Sequence, residues 1–158
     1  MKNYFYFFFA FFFSVQIFSQ NLKISNGEIT IPINTELKIT VQKINNKLSD
    51  FKLINESKIE KPINMIDALA NITKKDIVSD EIEFKFSNAD LMGSKIIILT
   101  TVQHLKSPIT FKAKIKIKGG TKYYETSIVK KIPNVFSVEQ WRDDIESVFL
   151  YDFKIAEN

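Results

Sequence analysis

The chain has 158 residues, with 22 Lys and Arg, 18 Asp and Glu, one His and no Cys, and its formal net charge is +4. This length accommodates one domain of ordinary size, and the missing cysteines exclude a disulfide framework, a thiolate metal site and a cysteine nucleophile. The single histidine, His104, excludes any site that needs two imidazoles.

Residues 1–19 have the order of a secretory signal peptide. Lys2 supplies the positive start, residues 4–13 are wholly apolar, and Ser19 is a small residue at the expected cleavage point. The apolar core is about ten residues long, against the roughly 20 that span a bilayer. We therefore expect a secreted or periplasmic protein whose mature chain, residues 20–158, has no transmembrane span. An uncleaved N-terminal anchor is the alternative.

Apolar and polar residues alternate with a period of two along much of the remaining chain, which indicates half-buried strands. The clearest apolar faces are Leu37, Ile39 and Val41; Ile82, Phe84 and Phe86; and Phe111, Ala113, Ile115 and Ile117. The wholly apolar run 96–99 predicts a central strand covered on both faces. Weaker strand signals lie at 22–25, 28–33, 51–55 and 121–130.

Residues 64–75 predict a first short helix. Asn64 can cap a helix beginning at Met65, in which Ile66, Leu69 and Ile72 recur at helical spacing.

Two glycines at positions 119–120 separate two alternating runs. This pattern is typical of a hairpin whose two-residue loop has a positive φ at both positions. The resulting register places Ile115 opposite Tyr124 and Lys114 opposite Glu125, the second pair on the outer face. The buried face of this hairpin is predicted to hold Phe111, Ile115, Tyr124 and Ile128.

The C-terminal segment predicts a second helix followed by a strand. Ser137 and Gln140 fit a capping box, and Phe136 and Trp141 fit its hydrophobic staple. We expect this arrangement to pack Trp141 against the body of the protein. The chain then alternates as expected for a final strand. The predicted apolar face of that strand consists of Phe149, Tyr151, Phe153 and Ile155. Continuation of the helix is the alternative.

These elements predict a mainly β protein. Seven to nine short strands at roughly ten-residue spacing suggest an antiparallel β-sandwich with one or two short helices. An immunoglobulin-like topology is one version of that fold. We expect a signal peptide over 1–19 and a single β-rich domain over 20–158.

The most regular polar feature is a row of lysines on one face of a predicted strand. This lysine row consists of Lys112, Lys114, Lys116 and Lys118. Such a row could bind an anionic glycan, an envelope component or a negatively charged protein. The alternative is that it keeps the strand soluble and discourages edge pairing. Nucleic acid is not expected as a partner, because the chain has a single Arg.

An acidic cluster and the single histidine are two further candidates for a chemical site. Asp80, Glu81 and Glu83 form a dense acidic cluster that could serve a small secreted hydrolase, but a solvated strand face is the preferred interpretation. His104 could shuttle a proton, or it could be a surface or edge histidine beside a turn. One histidine, no thiol and four glycines leave no metal site, cofactor site or phosphate-binding loop to predict.

The sequence therefore carries no ligand signature. We expect an exported, non-enzymatic binding or cell-envelope module without catalytic residues, cofactor or metal. The rival classes are the carboxylate hydrolase and a structural subunit that assembles by strand addition at an exposed edge.

Overall fold

This computed structural model describes residues 22–70 and 78–156, so the predicted signal peptide and the end of the first predicted helix lie outside it. The described chain is mainly β and its strands pair almost entirely antiparallel, as predicted. No helix in these ranges is long and apolar enough to cross a membrane. In chain order the elements are β1 (Lys23–Ser25), β2 (Glu28–Pro32), β3 (Thr35–Ile44), β4 (Lys47–Lys58), β5 (Ile63–Asn64), α1 (Met65–Ala70), β6 (Glu81–Leu91), β7 (Ser94–Gln103), β8 (Ile109–Ile117), β9 (Tyr123–Thr126), β10 (Ser137–Trp141) and β11 (Ile145–Ile155).

The strands form one branched sheet with the order β1-β2-β11-β4-β3-β6-β7-β10. On its other side β11 pairs with β8, which carries β9, while β5 pairs parallel with β6. Only the Lys154–Lys47 pair joins β11 to β4. The sheet is therefore continuous only through this residue pair. The strands on one side of the pair are β1, β2, β11, β8 and β9, and the remaining strands lie on the opposite side.

Side chains from both halves of the sheet pack in one shared core. The ring of Phe84 on β6 lies 6.0 Å from that of Phe111 on β8 and 6.5 Å from that of Phe153 on β11. Since β6 forms no ladder with β8 or β11, these contacts run between the halves. This arrangement is compatible with the predicted sandwich. Burying each such ring contributes roughly 2–3 kcal/mol of transfer free energy.

The predicted apolar faces of β3, β6 and β8 are confirmed. Their buried members are Leu37, Ile39, Val41, Ile82, Phe84, Phe86, Phe111, Ala113 and Ile115, while Ile117 is only partly buried. The prediction for residues 96–99 is also confirmed, because β7 lies between β6 and β10 and is covered on both faces. Leu99 joins the main core, and Ile98 packs with Met65 in a second cluster.

The helix α1 begins where its cap predicts. The Oδ1 atom of Asn64 accepts hydrogen bonds from the backbone N–H groups of Ile66 (3.0 Å) and Asp67 (3.3 Å). Ile66 itself is 58% exposed, so its predicted place on the buried face is wrong. Met65 is buried instead and covers the outer face of β7.

The predicted second helix is wrong, because Ser137–Trp141 forms strand β10. This segment pairs with β7 along its whole length, from Ser137 opposite Thr101 to Trp141 opposite Ile97. A local cap stabilises a helix by only about 1 kcal/mol, whereas pairing satisfies the backbone groups along the edge of the apolar strand β7. The expected packing of Trp141 is confirmed nevertheless. Its ring meets Phe86 edge-on at 6.3 Å.

The hairpin between β8 and β9 has the predicted register but a different turn. Ile115 pairs with Tyr124 and Lys114 with Glu125. Gly119 has a φ of +74°, whereas Gly120 does not have a positive φ and its N–H donates to the carbonyl of Ile117 (2.9 Å). Tyr124 is 54% exposed, so its predicted burial is wrong. The short strand β9 lies at the margin of the sheet, beyond the core that buries Ile115.

The C-terminal strand is confirmed as β11, although its inward face differs from the prediction. Val148 and Leu150 are buried, while Phe149 and Tyr151 are only partly buried. The register with β8 shifts after Tyr151, where Asp152 has a φ of +56°. An extra residue in one strand reverses the alternation of its side chains. Phe153 therefore returns to the core, where it is 2% exposed.

Candidate functional site

Each lysine of the lysine row lies next to a carboxylate on an adjacent strand or turn. Lys112, Lys114 and Lys116 stand on β8 and Lys118 follows its last residue. Three of the four carboxylate partners belong to the segment 144–152. The ion pairs are Lys112–Asp152 (3.1 Å), Lys114–Glu125 (3.2 Å), Lys116–Glu146 and Lys118–Asp144 (3.6 Å). The structure thus brings the four predicted residues together on one face, but as alternating charge pairs whose formal charges cancel.

Hydrogen bonds on this face favour the charged forms of its side chains. The Tyr151 hydroxyl donates to both carboxylate oxygens of Glu125, each at 3.0 Å, and with Lys114 it lowers the pKa of that carboxyl. Lys154 and Lys112 lower the pKa of Asp152, and Asp152 in turn raises the pKa of Lys112. These shifts favour the charged forms of Glu125, Asp152 and Lys112. Because at least one side chain of the Lys112–Asp152, Lys114–Glu125 and Lys118–Asp144 pairs is exposed to solvent, these three pairs contribute little to stability.

Three aromatic rings lie beside the lysine row on the same outer face. Phe149 and Tyr151 stack with their centroids 5.3 Å apart, and Tyr123 meets Phe149 edge-on at 6.1 Å. The Lys114 ammonium lies 5.1 Å from the centre of the Tyr151 ring. We call Tyr123, Phe149 and Tyr151 the aromatic row. Rings outside the core, with cations beside them, are typical of recognition surfaces.

The acidic cluster on β6 is organised around a lysine. Glu81 and Glu83 share one face of the strand, as predicted, and both bind the Lys38 ammonium at 3.0 Å. Glu81 and then Glu83 raise the pKa of Lys38. Asp80 is exposed, and its carbonyl accepts a hydrogen bond from the N–H of Val41 (2.9 Å). The carboxylates thus converge on a cation and not on each other, unlike the acid and base pair of a hydrolase.

His104 directly follows the end of β7, beside the bend at 105–107, but it does not lie at the surface. Only 12% of its side chain is exposed. Its Nδ1 atom lies 2.5 Å from Asn134 Oδ1, and its Nε2 atom lies 3.9 Å from Glu83 Oε1. The backbone of segment 133–134, which approaches the end of β7, accounts for this burial. Across residues 22–70 and 78–156, no three His, Cys, Asp or Glu side chains cluster closely enough to hold a metal ion.

The sequence does not predict one buried ion pair, which joins Lys131 to Glu139. Lys131 is 1% exposed, and its ammonium donates to Ser137 Oγ and Glu139 Oε1, each at 2.6 Å. It also lies 5.6 Å from the centre of the Phe111 ring. Desolvation lowers the pKa of Lys131, and the hydrogen bond to Glu139 partly opposes that shift. No local signal distinguishes this lysine from its exposed neighbour Lys130.

The distance between Lys131 Nζ and Ser137 Oγ is that between the base and the nucleophile of a serine–lysine dyad, but the resemblance ends there. A general base must be neutral when it takes the proton of the serine hydroxyl. Desolvation lowers the pKa of Lys131, but the carboxylate of Glu139 partly opposes that shift and holds the amine in an ion pair. Glu139 also accepts the backbone N–H of Val129 (3.1 Å), so the cluster fastens the segment before β10 to the core.

Comparisons of this chain with protein-family models, with curated proteins and with solved structures find no match.

Proposed function

We propose that the protein is an exported, non-enzymatic binding module of the cell envelope, and that its ligand lies across the aromatic row and the lysine row. The observation that carries this proposal is the continuous set of ring contacts outside the core, from Tyr123 through Phe149 to Tyr151. Tyr123 is 41% exposed. Aromatic side chains give a large contact area and lose little conformational entropy on binding.

The chemistry of this face fits an anionic glycan. Sugar rings pack on aromatic faces, and their carboxylate or sulfate groups can replace a protein carboxylate as the partner of an ammonium. The side chains of Lys112 and Lys118 are 63% and 70% exposed, so they reach solvent while paired. Because exposed pairs are weak, exchanging one partner for another costs little. A protein ligand would instead bury the rings without requiring the lysines.

The first prediction tests the lysine row directly. Replacing Lys112, Lys114 and Lys116 with Gln should lower the salt concentration that elutes the protein from a heparin column and weaken the salt dependence of its retention. The reason is that fewer cations remain to displace the counterions of the matrix. Circular dichroism should show an unchanged fold, because these side chains make only outer-face contacts.

The matched control removes the same charge elsewhere. Lys23, Lys43 and Lys95 are exposed and lie outside the lysine row, so their replacement with Gln changes the net charge equally. We expect this control to elute close to the parent. Equal losses for both variants would show that retention follows net charge alone, which would contradict a glycan site on this face.

The export part of the proposal makes a second prediction. When the chain is expressed with its own N-terminal segment, the secreted product should begin at Gln20 or within a few residues of it. Ser19 is the first small residue after the polar end of the apolar run. N-terminal sequencing of the purified product is the measurement. A membrane-bound product that keeps Met1 would contradict cleavage and favour the uncleaved anchor.

A further inference from the structure

Strand β4 has an open edge. It pairs with β3 along its length, but on its other side the described chain supplies only the Lys47–Lys154 pair with β11. The backbone N–H and C=O groups beyond that pair therefore have no strand partner among the residues that the structure describes. An unpaired edge of this kind is a template for strand addition.

The same part of β4 is exposed on both faces. All residues from Lys52 to Lys58 are exposed, including Leu53 (46%) and Ile54 (49%). The strand bulges at Ile54, since Leu53 pairs with Ile39 and Asn55 pairs with Lys38. A second irregularity lies between Ser49 and Lys52, where Asp50 has a φ of +51°. Two large apolar side chains thus lie side by side on an edge that the rest of the described fold leaves uncovered.

The charges along this edge of β4 are complementary to those along the same edge of a second, antiparallel copy. If two copies of β4 pair antiparallel about a two-fold axis at Ile54, Lys52 of each copy lies opposite Glu56 of the other. In the same register Asp50 of each copy lies opposite Lys58 of the other. Opposite charges directly across an antiparallel pair are stabilising, and a two-fold axis forms every pair twice.

Neighbouring registers do not share this property. Moving the axis one residue earlier places Asp50 opposite Glu56, and moving it one residue later places Lys52 opposite Lys58. Like charges directly opposite each other are destabilising. No residue in the described ranges forms an ion pair with Glu56 or Lys58. Lys52 and Asp50 pair with each other within one copy at 3.0 Å, but their side chains are 65% and 44% exposed, so this weak pair can be exchanged for Glu56 and Lys58 of a second copy.

We infer that the partner of this edge is a second copy of the same chain, and that two copies form a symmetric dimer through β4 with the axis at Ile54. The dimer continues the sheet from one copy into the other and places the Leu53 and Ile54 side chains of both copies near the axis. This assembly goes beyond the proposed binding function, because β4 meets β11 only through the Lys47–Lys154 pair, and its residues 50–58 pair with none of the strands that carry the aromatic row and the lysine row.

A charge-exchange experiment tests the register. The full chain is purified after expression with its own N-terminal segment and examined by sedimentation velocity over a series of concentrations. The parent should show a monomer–dimer equilibrium. Glu56→Lys and Lys52→Glu each place like charges across the axis, so either substitution should weaken dimerisation by about tenfold or more.

The two single variants should recover the interaction when they are mixed. A copy with Lys at both positions and a copy with Glu at both positions are complementary, so the mixture should form a heterodimer that neither variant forms as a homodimer. The double variant Lys52→Glu with Glu56→Lys should likewise dimerise as the parent does. As matched controls, Glu28→Lys and Lys95→Glu change exposed residues away from β4 and should leave the equilibrium unchanged.

Two results would overturn the inference. Bulges also twist edge strands away from partners, so a parent that stays monomeric at all concentrations would show that the bulge protects this edge. A dimer that is insensitive to both single substitutions would place the interface elsewhere. Neither result affects the retention assay on the lysine row, so the two proposals fail independently.

Discussion

Replacing Lys131 with Met is expected to destabilise the protein by about 3–5 kcal/mol, the usual cost of removing one partner from a buried ion pair. The substitution leaves the Glu139 carboxylate, whose side chain is 13% exposed, without its cation. It also removes the hydrogen bond to Ser137 Oγ and the contact with the Phe111 ring. Equilibrium unfolding in guanidinium chloride measures the loss.

The neighbouring lysine provides the control. Lys130 is exposed, so Lys130→Met should change the free energy of unfolding by less than about 0.5 kcal/mol. A double variant, Lys131→Met with Glu139→Leu, should recover much of the stability, because it removes the uncompensated charge. Equal effects at Lys130 and Lys131 would show that the ammonium is not buried in solution.

The pH dependence of this effect has a definite sign. Burial lowers the pKa of Lys131 in the folded protein, so the unfolded chain holds that proton more tightly. Stability contributed by this group therefore rises as the pH increases through the folded pKa towards the ordinary value of 10.5. The difference in unfolding free energy between the parent and Lys131→Met should widen over that range.

The parts of the fold that the sequence predicts correctly are those with a local period. The faces of β3, β6 and β8 follow from strict alternation, because one face of each strand packs on the core and the other meets water. The apolar run in β7 is equally direct. A strand covered on both faces needs no alternation.

The parts that the sequence misses depend on residues far apart in the chain. Ser137 does fit a helix-capping pattern. The segment forms β10 instead, because pairing satisfies the backbone N–H and C=O groups along the edge of β7. The reversed face of β11 follows from the bulge at Asp152, which the alternation of Phe149 and Tyr151 does not reveal. In each case a tertiary contact outweighs a weak local preference.

The sequence likewise predicts one feature of the candidate site and misses another. The spacing of the lysine row predicts that its side chains share a face, but not that the C-terminal segment supplies three of their acidic partners. That segment, residues 139–158, carries six acids and two bases, so its net charge is −4, while residues 20–138 carry +7. The complementary charges of the two segments meet between β8 and β11.

Deletion of residues 135–158 should abolish the folded protein. The deletion removes β10, which covers the edge of β7, and β11, which pairs with β2 and β8 and joins them to β4. It also removes Phe153, Leu150 and Val148 from the core. Losing three buried side chains at about 2–5 kcal/mol each costs about 6–15 kcal/mol, which is as much as the roughly 5–15 kcal/mol that holds a domain together. The loss of strand pairing adds to that cost.

Trp141 gives a graded version of the same test. Its ring packs on Phe86, and its Nε1–H donates to Thr126 Oγ1 at 2.9 Å, which ties β10 to the end of β9. Since the side chain is only partly buried, Trp141→Ala should cost about 3 kcal/mol, near the lower end for truncation of a large aromatic residue. Trp141→Phe keeps a ring against Phe86 and should lose only about 1 kcal/mol with the hydrogen bond. If Trp141→Ala and the truncated chain both melt like the parent, the C-terminal segment does not belong to the core, and the charge pairs of the lysine row do not form in solution.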